Sequence, residues 1–157
     1  MRFPRFTRTP LVIAALLAPF PALAQMEPGF WAYPDQPGLD AAALAASCET
    51  GFSLVYADGS AQSFLLVEAQ ETTALWLDSE RTCETNADNS MTCTGWVDNG
   101  DGPVEFQQVT RFLLEGEALR AETLTEGAAN DPVVTYPQPC PADAIRAAFR
   151  QGMFPRG

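Results

Sequence analysis

From Gly51 to Tyr136 the chain runs as short segments of period two, cut again and again by turn residues. Alternation at that period describes half-buried strands, and tight turns between successive strands force them to pair antiparallel. Phe52–Tyr56 reads as a strand, Asp58-Gly59 as a hairpin turn, and Ser63–Val67 as the return. Thr72–Leu77 and Arg81–Thr85 read as a third and a fourth strand, and Met91–Val97 as a fifth. Asp98-Asn99-Gly100-Asp101-Gly102 turns the chain into the longest strand, Val104–Leu114. Glu115-Gly116-Glu117 turns it back into Leu119–Thr125, and Val133–Tyr136 closes the series. Helical periodicity occurs only at the flanks. Asp40 precedes an Ala-rich run with Leu39 and Leu44 at staple positions, and Pro141 opens a segment whose Ile145, Ala148 and Phe149 form one stripe. The expected fold is mainly β: an antiparallel up-and-down meander curled into a small barrel or strongly curved sheet, with a short helix near each end. The alternative is a two-layer α+β arrangement with both helices on one face of the sheet.

Four cysteines, Cys48, Cys83, Cys93 and Cys140, predict two disulfides. Cys83 and Cys93 flank a turn-rich centre, Asn86–Ser90, so a hairpin sets them face to face; Cys48 and Cys140 then pair and tie one helix to the other. No Cys-x-x-Cys spacing suggests a thiolate metal site.

Disulfides imply an oxidising compartment, and residues 1–24 suggest the route there. Arg2, Arg5 and Arg8 precede the apolar run Leu11–Leu17, and Ala22-Leu23-Ala24 forms a small-x-small cleavage site. This is the pattern of a cleavable secretory signal. Residues 25–151 are then expected to form one disulfide-bonded domain and residues 152–157 a loose tail. No segment is apolar for the roughly 20 residues that a membrane helix needs, so the mature chain is expected not to insert in a membrane. Export to the periplasm, or secretion, is the expected location.

All 20 acidic residues follow residue 24, against six of the nine bases; every base is Arg, and the chain has no His and no Lys. Such a surface repels nucleic acid. Without His or Lys, triad catalysis, the usual histidine zinc sites and Schiff-base chemistry are closed. An acid and a base would have to be carboxylates, a Tyr or a Cys; paired-carboxylate glycoside hydrolysis is the best-known member of that set, and no carboxylate pair stands in an apolar strand. The chain is expected to be no enzyme and to need no cofactor.

Three tryptophans are the candidate ligand-binding residues: Trp31 in a Pro-flanked segment, and Trp76 and Trp96 in strands, each opposite in parity to its apolar neighbours. On alternation alone Trp76 and Trp96 share the second face of the sheet. Asp98, Asp101, Glu115 and Glu117 are candidates for steering a cationic partner. Asp98–Gly102 misses the calcium-loop register, with glycine at its third and fifth positions, and reads as a plain turn.

Met26-Glu27-Pro28-Gly29-Phe30-Trp31 is similar to the Pro-Gly-x-Trp opening of some small exported bacterial proteins, and the general build resembles that of periplasmic lysozyme inhibitors. The functional expectation is a non-enzymatic exported binding protein that recognises a cationic protein such as a lysozyme. The alternatives are carriage of a small apolar ligand inside the barrel and, behind it, a carboxylate hydrolase.

Overall fold

The computed structural model describes residues 26–69, 72–127 and 131–153. The secretory segment 1–24 lies outside the described residues, as do residues 154–157 of the expected tail. Nine strands form one antiparallel sheet: β1 (Gly29–Ala32), β2 (Gly51–Val55), β3 (Ala61–Ala69), β4 (Thr72–Thr85), β5 (Met91–Asp98), β6 (Pro103–Glu115), β7 (Ala118–Thr125), β8 (Val133–Thr135) and β9 (Gln138–Pro139). Their order across the sheet is β8-β7-β6-β5-β4-β3-β2-β1-β9, so eight strands form the meander and β9 crosses back to pair with β1. The sheet curls into a half-barrel. Two helices, α1 (Ala41–Thr50) and α2 (Ala142–Met153), complete the fold. The third and fourth expected strands are a single strand, β4, carried through by one extra residue: the pairing with β3 slips between Ser63 and Phe64, which skips Asp78. A bulge of this kind bends the strand and increases its twist.

Two hairpins share one turn chemistry. Tyr56-Ala57-Asp58-Gly59-Ser60 joins β2 to β3, and Asn86-Ala87-Asp88-Asn89-Ser90 joins β4 to β5. In each, the fourth residue has a left-handed backbone, Gly59 at φ 84° and Asn89 at φ 64°. In each, the aspartate accepts from both the amide and the hydroxyl of the serine. Three-residue loops of this type are a standard hairpin closure. Bonds to the serines hold both carboxyls, Asp58 and Asp88, below the usual range.

Both helices lie on one side of the sheet. Asp40 caps α1 by accepting from the amides of Ala42 and Ala43. Phe30, Phe52, Phe64, Leu75 and Phe149 pack between helices and strands with Ile145 and Ala148. Phe30 meets Phe52 edge-on at 5.4 Å, and Phe149 sits 5.7 Å from Phe52. The disulfide Cys48–Cys140 joins the end of α1 to the residue before Pro141, inside this core. Gly152 and Met153, expected in a loose tail, instead extend α2; a Cβ on Gly152 would lie 2.6 Å from the Leu75 backbone nitrogen, so the helix end presses on β4.

Candidate functional site

The side of the sheet away from the helices is concave. Alternation sends Val55, Arg81, Cys83, Met91, Cys93 and Phe112 to this side from four strands. Thr110 and Thr123 face each other across β6 and β7 with hydroxyls 3.0 Å apart, and Gln108, Thr125 and Thr135 continue the polar belt. Val55 of β2 and Val133 of β8 stand six strands apart in the sheet and still line the same space, because the sheet curls. The cavity measures about 280 Å³. That is near the lower end of the range of small-molecule sites, roughly 300–1,000 Å³.

Its floor is apolar. Cys83 and Cys93 are direct cross-strand partners with Cα atoms 4.1 Å apart, and their disulfide packs with Met91 and Phe112. The β2–β3 turn folds over this floor: a Cβ on Gly59 would lie 3.3 Å from the Met91 methyl. Tyr33 and Met26 line the cavity as well, with the Tyr33 hydroxyl 3.6 Å from the Met26 sulfur.

One charged residue lines the cavity among the described residues, Arg81. It stands in β4 between Ala61 of β3 and Gly95 of β5, two positions with almost no side chain. Gly95 is obligatory there: a Cβ would lie 2.0 Å from the Glu80 carbonyl oxygen and 2.8 Å from the Arg81 Cα. The close approach leaves the concave side beside Arg81 open for its guanidinium. Arg81 donates to the Tyr33 hydroxyl at 2.9 Å, and its Cζ is 5.6 Å from that ring's centroid.

The three tryptophans stand elsewhere. The residue skipped at Asp78 reverses the parity of β4, so Trp76 pairs with Leu65 on the concave side while Trp96 pairs with Glu80 on the other. The expectation that alternation puts both on one face is therefore corrected: strict alternation does not survive a bulge. The two still meet at an open groove with Leu75, Leu77, Asp98 and Pro103, where the first half of β4 runs beyond the end of β5. Trp76 is 52% exposed there. Trp31 donates to the Glu27 carbonyl and lines a shallow groove beside α1. None of the three lines the concave cavity.

Nor do the acidic turns form one patch. Asp98 ends β5 and Asp101 lies in the β5–β6 turn, while Glu115 ends β6 and Glu117 lies in the β6–β7 turn, so the two pairs stand at opposite ends of the 13-residue β6. At about 3.4 Å per residue that strand spans roughly 40 Å. Asp98 accepts from the Gly100 amide, and Asn99 from the Asp101 amide, as turn-closing bonds. Glu115 accepts from the Tyr136 hydroxyl and is paired with Arg120. Asp78 and Asp98 repel each other near the Trp96 groove: burial, and then the Asp98 charge, push the Asp78 carboxyl above its ordinary value.

Sequence reading passed over Arg81 and took Tyr33 only as a neighbour of Trp31 in the Pro-flanked segment. A signal was present for the first, since Arg81 has the parity of Cys83, whose disulfide belongs to an interior. Tyr33 had none, because it follows β1 and reaches Arg81 only through the fold. The two disulfides fit an oxidising environment, and no helix among the described residues is long and apolar enough to cross a membrane. The chain matches no known family, no curated protein and no solved structure.

Proposed function

We propose that this chain is an exported, periplasmic binding protein without catalytic activity, and that the concave side of its half-barrel holds a small, largely apolar ligand. The cavity over the Cys83–Cys93 floor carries this reading: residues of β2 and of β4 to β8 line it, and it is apolar below and ringed by hydroxyls. Apolar walls with a few placed polar groups are the usual composition of a ligand site. The signal-like segment 1–24 supports export, and the lack of His and Lys supports binding rather than catalysis.

Saturation-transfer NMR with a panel of small apolar and amphipathic molecules tests the reading. Transfer to at least one class is expected, and it should fall when Val133→Trp fills the rim of the cavity. No transfer to any member, or transfer indifferent to Val133→Trp, would sink it.

Recognition of a cationic protein such as a lysozyme is a second reading, favoured by the excess of acids over bases. It requires two separate acidic contacts, one at each end of β6. Its mark is an association rate that falls steeply with ionic strength.

A further inference from the structure

We infer that the ligand of the concave site is a small monocarboxylate with an apolar body, its carboxylate held by Arg81; this rests on the reading of that cavity as a ligand site. The chain has 20 acids and nine bases, so an arginine without an acidic partner is unexpected. Arg111, Arg120 and Arg146 each pair with a carboxylate. Among the described residues beyond them, Arg81 and Arg150 make no ion pair, and Arg150 stands on the exposed surface of α2. Arg81 is different: it is half-buried and lines the cavity.

A guanidinium cannot shed its proton, and a charge removed from water without a partner is costly. Arg81 has five N–H donors, and the Tyr33 hydroxyl takes one of them. The rest of the fork is shaped for a planar, two-oxygen acceptor. No acid among the described residues lines the cavity to supply one, so the acceptor comes with the occupant. A single cation matches a single negative charge, which selects a carboxylate over a doubly charged phosphate monoester. The apolar body lies on the Met91, Phe112 and disulfide floor, and the volume of about 280 Å³ keeps it short.

Calorimetry with octanoate and octanol on the full mature chain tests the assignment, with Arg81→Met and Arg81→Lys as variants and thermal unfolding as the check on folding. The wild type is expected to bind octanoate about ten-fold or more tighter than octanol, the scale of a charged hydrogen-bonded contact. Arg81→Met should erase that preference while keeping octanol affinity; Arg81→Lys should keep part of it, as a point charge without the fork. Should Arg81→Met fail to fold, the wild-type pH profile decides. Octanoate affinity should fall to that of octanol as the carboxylate protonates, near pH 4–5 by analogy with Glu at about 4.3. Equal affinity for acid and alcohol, or a preference that survives Arg81→Met, overturns the role of Arg81 and leaves the cavity as an apolar site. Binding of neither molecule overturns both this assignment and the ligand-site reading.

Discussion

On its helix side the sheet meets α1 and α2 through four phenylalanines in contact; on its concave side it meets the β2–β3 turn, Tyr33, Met26 and open space. Both sides belong to the same strands, and alternation divides β2 between them: Phe52 goes to the core and Val55 to the hollow. The division separates the side that holds the fold together from the side that is left open. The helix side excludes water, so each aromatic removed leaves a cavity. The concave side is only partly filled, so substitution there changes what it can hold more than whether the chain folds.

The sharpest break of that comparison is between two phenylalanines. Phe52, 4% exposed among Phe30, Phe64 and Phe149, should cost about 3–5 kcal/mol on change to Ala. Phe112, half-buried at the cavity floor, should cost nearer 1 kcal/mol. Urea unfolding of both variants measures the difference; equal losses would mean that the concave side is as much a core as the other.

The disulfides offer a second comparison. Cys48–Cys140 closes 92 residues and Cys83–Cys93 only 10. Loop entropy assigns them about 4.6 and about 3 kcal/mol. Replacing Cys48 and Cys140 by Ala should therefore destabilise more than replacing Cys83 and Cys93, and only the second pair should also alter ligand binding. Thermal unfolding with ligand titration on both double variants reads this, and the reverse order would place the main cross-link on the concave side.

The smallest effect is electrostatic and has a definite sign. Asp78 titrates above its ordinary value of 3.8, chiefly through burial. The folded state then holds that proton more tightly than the unfolded chain, so the stability it lends is present below 3.8 and is lost as pH rises through the raised value. Asp78→Asn should raise the melting temperature by a few degrees or less at neutral pH, with the gain vanishing in acid. Asp58 and Asp88, held below 3.8, act the other way: their contribution is present above 3.8 and disappears as pH falls through the lowered values. A gain from Asp78→Asn that persists at pH 3 would mean that packing, and not charge, is its source.

Much of this architecture is local and so legible in the residues. Asp58-Gly59 and the Asn86–Ser90 segment close hairpins because their own side chains bond the turn, and the second of these sets Cys83 opposite Cys93. Asp40 caps α1 through amides two and three positions on. The recurrence of Ala-Asp-Gly-Ser and Ala-Asp-Asn-Ser goes unremarked in the sequence and becomes evident through the shared turn geometry.

By itself, then, the sequence determined the tight turns and the antiparallel order of the strands they join, since each depends on residues a few positions apart. Tertiary structure alone decided the bulge at Asp78 that parts Trp76 from Trp96, the curl that brings Val133 to Val55, and the placing of Tyr33 against Arg81. These are pairings between distant segments, and their outcome rests on how nine twisted strands and two helices share one set of faces. A period of two says that Arg81 has one side of a sheet, and only the closed curve says that this side is a cavity.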